Sequence, residues 1–402
     1  MTVLASLPEI RLHPRKALPF FSRHPWVFHS AIASQAEGIA PGSEVVLKAH
    51  DGKFIARGLF NPHSNIRVRL YSWDEQQALD DPFWSRRLDD AIALRRRLFG
   101  PFTPELACRL VYSEADQFSG LTVDRFGDWL TVQITSRALA DRCETLFDLL
   151  QEKLSPKGIL LKTEKGMRAA EGLELTEGLV RGVEPPRPLL IRENDITYAV
   201  DLASGQKTGF FIDQRDNRRR IASFANQSRV LDMFCYSGGF ALNCLVHGPA
   251  SEVIAVDSSA AALELMHANA ERNGVADRMQ VMQEDGFTAL EQLAAAGDKF
   301  DTVILDPPKL AKHRDSLDAA MRGYFSLNRL GLDVLNPGGL LMTCSCSGLV
   351  SHDLFTEMLG RVALQANRHI QILEARGPGP DHPTSVHCLE TDYLKCYLCR
   401  VT

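Results

Sequence analysis

The chain has 402 residues, 45% of them hydrophobic and 24% charged, with a formal net charge of −5. That length exceeds one ordinary domain, and the composition is that of a globular protein with a sizeable core. No apolar run is long enough to cross a bilayer, and Met1 to Phe20 lacks the uninterrupted apolar stretch of a signal peptide. A cytoplasmic protein with no membrane partner is therefore expected.

Residues 1–75 hold nine Lys or Arg against six Asp or Glu, with five His besides, a mild local lean toward polyanions in an acidic chain. Short alternating runs (Glu44 to Ala49, Phe54 to Phe60, Ile66 to Tyr71) are bounded by Pro41-Gly42, Asp51-Gly52 and Asn61-Pro62. This is the pattern of a small β-barrel or sandwich. A helix is expected from Asp81 to Leu98, stopped by Gly100-Pro101. Residues 109–180 read as strand–turn–strand, a helix from Ala138 to Leu154 and a strand from Gly158 to Lys162, together a small α+β domain. The Pro185-Pro186-Arg187-Pro188 cluster reads as a linker, which divides the chain into 1–75, 76–188 and 189–402.

Beyond residue 195 strands and helices alternate. Strands are expected at Arg229 to Phe234, Glu252 to Val256, Met279 to Gln283, Phe300 to Leu305 and Gly339 to Cys344, with helices such as Phe240 to Val246 and Ala260 to Asn273 between them. Repeating units of this length imply an α/β fold with a doubly wound parallel sheet.

Ligands of such sheets sit beyond the carboxyl ends of the strands. The segment Asp232 to Phe240 there contains Phe234, Ser237, Gly238 and Gly239 but no G-x-G-x-x-G, which removes the main support for a nicotinamide dinucleotide. A sulfonium amino acid needs a carboxylate for its ammonium group and small residues beside its chain, and Asp232 with the glycine pair suits it. Asp257 ends the next strand, where it can accept from both ribose hydroxyls. Asp285, followed by Gly286, ends the third at the height of an adenine amino group. These residues point to S-adenosylmethionine.

Asp306-Pro307-Pro308-Lys309 closes the fourth strand, and the prolines stiffen the turn that holds Asp306 beside an incoming substrate. An aromatic residue at position 309 would favour methylation of an exocyclic amine; Lys309 disfavours it. Thr343 to Gly348 ends the next strand and carries Cys344 and Cys346. Carbon 5 of a pyrimidine is too weak a nucleophile to attack a sulfonium methyl directly, and a thiolate added to carbon 6 supplies the missing electron density. Alternation along the strand turns Cys344 into the sheet and leaves Cys346 as the nucleophile. Asp306 is expected to hydrogen-bond N3 and the exocyclic group. Upstream, Gln206 to Arg215, with Phe210, reads as a lid over the donor, and Arg218 to Arg220 as a basic run near substrate phosphates. Nine cysteines include one C-x-x-C, at Cys396 and Cys399, with no second pair to complete a zinc site, so no metal is expected.

At these residues the chain resembles the RlmI-like bacterial 23S ribosomal RNA cytosine-5 methyltransferase family. The likeness lies in Gln206 to Arg218, Asp232 to Phe240, Asp306 to Lys309, Ser345 to Gly348, Asp381-His382-Pro383 and Tyr393-Leu394-Lys395. It extends to His24 to Phe28, Gly58 to Ser64 and Glu114 to Arg125, so that it covers nearly the whole chain. The resemblance implies a PUA RNA-binding barrel, a small central domain and a Rossmann-like class I methyltransferase domain, often as a homodimer. It places the nucleophile at Cys346, with Arg218, Arg219 and Lys309 toward 23S ribosomal RNA, and it puts Glu390 where carbon-5 uridine methyltransferases have their proton-abstracting glutamate. Cys344 departs from the related pattern, which more often has a bulky apolar residue there. Two other readings stay open: methylation of another RNA base (uridine carbon 5 or a guanine nitrogen), and an RNA-binding assembly factor without activity.

Overall fold

The computed structural model describes residues 7–163, 165–202, 209–311 and 313–402. They form two compact units: Met1–Leu189 with Val200–Phe210 and Asp381–Thr391, and Leu190–Ala199 with Phe211–Pro380 and Asp392–Thr402. A linear division of the sequence does not assign the two returning segments to the first unit. Buried polar groups tie one of them down: Arg95 Nη2 donates to Asp381 O at 2.8 Å, Arg109 N to Asp381 Oδ2 at 2.9 Å and Tyr112 Oη to Thr391 O at 3.0 Å.

In the N-terminal unit, β1 (Glu9–Leu12), α1 (Leu18–Phe21), β2 (Trp26–Phe28), β3 (Ile32–Gln35), β4 (Glu44–Lys48), β5 (Phe54–Phe60) and β6 (Ile66–Ser72) come first. Their six strands make one sheet in the order β2-β6-β5-β4-β1-β3, antiparallel except for the β1–β4 pair. Register shifts at Arg11/Leu12, Val27/Phe28, Leu47/Lys48 and Arg57/Gly58 curl it. Alternate residues such as Val45, Leu47, Val68 and Leu70 fill its inside.

A second sheet follows. α2 (Asp81–Phe99) is capped by Asp80, whose side chain accepts from Phe83 N, and ends at Gly100 with φ 76°. After it come β7 (Ala107–Tyr112), β8 (Leu121–Phe126), β9 (Trp129–Ile134), α3 (Arg137–Ala140), α4 (Cys143–Leu154), β10 (Gly158–Lys162), α5 (Lys165–Glu171) and β11 (Gly178–Gly182), with the strands ordered β11-β10-β9-β8-β7. The helix expected from Ala138 to Leu154 is two helices. Arg142 leaves helical geometry between them (φ −115°, ψ 11°), and its guanidinium donates to Gly42 O at 3.1 Å and Ala138 O at 2.9 Å.

The other unit opens with a ribbon of β12 (Leu189–Glu193) and β13 (Ile196–Val200). There follow α6 (Arg215–Ala222), β14 (Arg229–Met233), α7 (Gly239–Val246), β15 (Glu252–Asp257), α8 (Ala260–Arg272), β16 (Met279–Gln283), α9 (Gly286–Ala296) and β17 (Phe300–Leu305). α10 (Leu317–Asp333), β18 (Leu335–Ser345), α11 (His352–Ala366), β19 (Ile370–Arg376) and β20 (Lys395–Val401) complete it. Seven strands form a doubly wound sheet in the order β16-β15-β14-β17-β18-β20-β19, parallel except for β20. Apolar strands such as Val253 to Val256 and Val303 to Leu305 are buried, as a parallel sheet covered by helices requires. Among the described residues no helix is long and apolar enough to cross a membrane.

Glu171, 3% exposed, accepts from Asn61 Nδ2 (3.0 Å), Ser64 Oγ (2.5 Å) and Arg69 Nη2 (3.0 Å), and so ties the curled sheet to α5. Removing one member of a buried ion pair strands the other charge, so Glu171→Ala should cost about 3 kcal/mol. All four tryptophans (Trp26, Trp73, Trp84, Trp129) lie in this unit, and urea unfolding followed by tryptophan fluorescence checks the loss.

Candidate active site

The order of the parallel strands reverses between β14 and β17, which opens a crevice at their carboxyl ends. Asp232 lies there, in register with Ile304 and 1% exposed. Its Oδ2 accepts from Ala241 N at 2.9 Å, while its Oδ1 is buried with no partner among the described residues. Burial pushes this carboxyl up to about 8, helped by the negative charges of Asp306 and Asp257.

The following loop is wound by left-handed residues: Phe234 (φ 63°), Tyr236 (φ 48°) and Gly238 (φ 86°). Two of these are non-glycine, a local cost that clusters at functional loops. Asp257 anchors the loop by accepting Tyr236 N at 3.0 Å and Ser259 N at 2.9 Å. Ser237 is buried, and its carbonyl accepts from Asn269 Nδ2 at 3.3 Å. The glycine pair was expected to give a ligand room, but the protein's own packing already requires it. A Cβ on Gly238 would lie 2.6 Å from Met266 Cγ, and one on Gly239 2.4 Å from Arg218 Nε. Likewise Gly286 makes space for the Phe234 ring, 2.5 Å from a Cβ there. Asp285 caps α9, accepting Phe287 N at 3.0 Å and Thr288 N at 3.3 Å through Oδ1.

Of the upstream segment, Gln206 lies outside the described residues and Phe210 is buried. The expectation that Arg218 meets substrate phosphates is overturned. It is 4% exposed, its Nη1 pairs with Glu193 at 2.7 Å and its Nη2 donates to Phe211 O at 2.7 Å. A basic run on a helix must turn one member inward, and here the inward arginine packs under Gly239. Arg219 is exposed.

Beyond β17, Asp306 is half-buried and Lys309 exposed. β17 and β18 pair Leu305 with Thr343, which brings the Asp306 turn and the Cys344–Cys346 segment to adjacent strand ends. Cys344 is fully buried; burial and the neighbouring Cys396 thiol push its own thiol well up, so it is not a thiolate. Cys346 is half-buried. The turn around it is held by Ser347, whose Oγ lies 3.1 Å from Tyr324 Oη and accepts from Ala311 N at 3.2 Å.

Lys395 is a site residue to which the sequence reading gave no role. It faces Ser345 in the register of β18 and β20, is 1% exposed, and donates through Nζ to Ser347 O and Tyr393 O, both at 2.7 Å. Burial lowers its ammonium to about 8, against the pull of Asp392 and Cys346. The available signal was a lone lysine opening the apolar run Cys396 to Cys399. Glu390 belongs to the N-terminal unit, where Cys388 Sγ donates to its Oε2 at 3.4 Å and His24 Nε2 lies 3.5 Å away. Because His24 Nδ1 accepts from Trp26 N at 3.3 Å, the ring proton sits on Nε2 toward Glu390, which suits a hydrogen bond rather than a metal ion. The proton-abstracting role expected of Glu390 rests on the family resemblance alone.

Comparison with known proteins fits this geometry. Residues 10–73 match the PUA-like domain, and residues 178–388 match the S-adenosylmethionine-dependent methyltransferase family. The ribosomal RNA large subunit methyltransferase I of Erwinia tasmaniensis is 39% identical over 94% of this chain and 96% of that protein. The Escherichia coli O157:H7 protein of the same name is 37% identical over the same shares. The chain belongs to the ribosomal RNA large subunit methyltransferase I family.

Its fold is shared with a solved methyltransferase in complex with S-adenosylhomocysteine (TM-score 0.85, 19% identity, 98% of this chain and 99% of that one). A Streptococcus mutans structure described as an S-adenosylmethionine-dependent methyltransferase gives 0.83 at the same identity and coverage. The cofactor of the family, S-adenosylmethionine, fits the residues present. The unpartnered Oδ1 of Asp232 is a buried acceptor lacking a donor, and the donor's ammonium group would satisfy it. Asp257 and Asp285, at the next two strand ends, would take ribose hydroxyls and the adenine amino group.

Neutralising one side of a buried ammonium–carboxylate pair costs about 2 kcal/mol or more, so Asp232→Asn should weaken S-adenosylhomocysteine binding roughly 30-fold in calorimetric titration. The donor-free protein should behave differently. The folded-state pKa of Asp232, about 8, stands above its ordinary 3.8, so the folded state retains the proton that the unfolded chain gives up. This contribution to stability falls as pH rises through that window, and the Asn variant should lack the slope in urea midpoints measured against pH.

Proposed function

We propose that this chain forms 5-methylcytidine in the 23S RNA of the large ribosomal subunit, with Cys346 as the nucleophile. The observation that carries the reading is the pairing of β17 with β18. It sets a half-buried thiol, Cys346, near the half-buried carboxylate Asp306, while the competing Cys344 is sealed inside the sheet as a neutral thiol. A target base must be unpaired or flipped out to reach these groups.

The thiolate of Cys346 adds to carbon 6 of the ring, forming a carbon–sulfur bond and moving the electron pair to carbon 5. Asp306 accepts from the exocyclic amine and, in its protonated form, donates to N3, holding the ring through addition. S-adenosylmethionine, when bound, supplies the electrophilic methyl group that carbon 5 takes up. A base then removes the carbon-5 proton, the ring electrons return and the carbon–sulfur bond breaks. Lys395, whose ammonium group is held at the carbonyl of Ser347, favours the anionic form of the neighbouring Cys346 thiol. Arg219 and Lys309, both exposed, meet RNA phosphates.

In the same reading residues 1–75 are an RNA-binding PUA-like barrel, 76–188 a central domain and 189–402 the catalytic domain. The reaction belongs in the cytoplasm, where ribosomal RNA is methylated in bacteria, and the resemblance adds a homodimeric form.

With methyl-labelled donor and unmodified large-subunit RNA, label should be recovered in 5-methylcytidine. Recovery in another nucleoside would move the target, and no transfer would sink the enzymatic reading. Cys346→Ser should lower kcat roughly 10³-fold or more, whereas Cys344→Ser should keep activity within about tenfold of the parent. Iodoacetamide alkylation of Cys346, followed by mass spectrometry without RNA, reads the thiol directly. Lys395→Met should move its pH profile upward by about one unit, and an unmoved profile would leave Lys395 a structural role only.

A further inference from the structure

On the N-terminal unit a pocket of about 580 Å³ lies at the end of α2, lined by Arg96, Pro101, Phe102, Arg125, Lys153 and Leu154 among others. Its size is within the range of small-ligand sites, about 300–1,000 Å³. Three cationic side chains line it and no carboxylate does. The guanidinium carbons of Arg96 and Arg125 stand 5.5 and 5.1 Å from the centre of the Phe102 ring.

Arg125 is the informative member. It sits on β8 across from Cys108, is 6% exposed, and its Nε is buried without a partner among the described residues. Its ion pair is poor: Nη2 lies 3.6 Å from Asp128 Oδ1, and Asp128 is shared with Lys157 Nζ at 2.9 Å. Burial pushes the guanidinium below its ordinary pKa. The cation–π contact with Phe102 offsets only part of the cost of burying a guanidinium. Lys153 is paired with Asp89 at 2.8 Å, but Asp89 is largely exposed and competes weakly with an arriving anion.

A buried, under-neutralised arginine opening on a pocket with two further cations is built for an oxyanion. We propose that this pocket grips a backbone phosphate of the RNA substrate through Arg96, Arg125 and Lys153. Both guanidinium groups lie against the Phe102 ring in the wall of the same pocket. The inference rests on the RNA reading above and adds to it a contact on the sheet that follows the PUA-like region.

The test uses the full chain and an unmodified large-subunit RNA fragment, with binding read by fluorescence anisotropy between 50 and 200 mM salt, conditions of roughly the range where phosphate contacts are resolved. Each lost phosphate contact removes about 0.7 to 1 from the slope of log K against log salt. The double variant Arg96→Gln/Lys153→Gln should therefore lower the slope by roughly 1 to 2, raise KM for RNA several-fold and leave kcat at saturating RNA within about twofold. Arg96 is exposed and Lys153 half-buried, and the charge-reversed Arg96→Glu supplies a second reading should the double variant fold poorly. An unchanged slope in both variants overturns the proposal while leaving the methyltransferase reading standing. A parent protein that binds no RNA overturns both. If inorganic phosphate, at constant ionic strength, raises the melting temperature of the parent and not of the variant while the RNA slope is unchanged, the pocket holds free phosphate and the RNA assignment fails.

Discussion

The chemistry of this protein depends on the register of three parallel strands. Asp232 ends β14, Asp306 follows β17, and the Cys344–Cys346 segment ends β18. Side chains separated by more than a hundred residues in sequence thus meet at one sheet edge. Cys344 and Cys346, two residues apart, share a face by alternation; they differ because β18 ends at Ser345, so Cys344 is fixed inside the strand and Cys346 lies beyond its end, half-buried. The long apolar runs of these strands hold that register, and so a packing constraint keeps Cys344 buried.

Three buried ionisable groups in the catalytic unit are accommodated in different ways. Arg218 is neutralised by Glu193 and donates to the Phe211 carbonyl, and it packs under the loop as part of the scaffold. Lys395 donates to two carbonyls, which take two of its three protons without neutralising its charge, so that charge remains to act on neighbours. Asp232 keeps one oxygen without a donor in the described structure. An unsatisfied buried carboxylate costs stability, and a chain that retains one gains by binding a cation there. A charge neutralised within the chain belongs to the scaffold here, whereas the Asp232 oxygen without a donor among the described residues is where the ammonium group of a bound S-adenosylmethionine would fit.

The cysteines make the same point for reactivity. None of the nine is in a disulfide, and seven of them are buried. Burial holds Cys235, Cys244, Cys344, Cys388 and Cys399 in the thiol form. The two half-buried thiols, Cys143 and Cys346, differ in their surroundings: Glu144 stands beside Cys143 and adds to burial in raising it, whereas the ammonium group of Lys395 acts on Cys346.

Much of this was legible before any coordinates. Alternating apolar runs and β-α repeats were enough for a doubly wound C-terminal sheet, because a period of two or of 3.6 is a local property. Asp232, Asp257, Asp285 and Asp306 were placed at strand ends for the same reason; the alternation expected to separate Cys344 from Cys346 does not, because residues two apart share a face, and Cys346 escapes burial because β18 ends at Ser345. Local pattern does not carry the direction in which one arginine of three turns, and Arg218 points inward because Glu193, 25 residues upstream, waits there. Nor does it reveal that Gly238 and Gly239 are demanded by Met266 and Arg218, or that Asp381–Thr391 returns to the N-terminal unit. Lys395 gained its role only when β20 paired against β18. The sequence by itself determined the elements and the chemical groups at their ends; tertiary structure decided which groups are buried and partnered, since burial and pairing depend on neighbours distant along the chain.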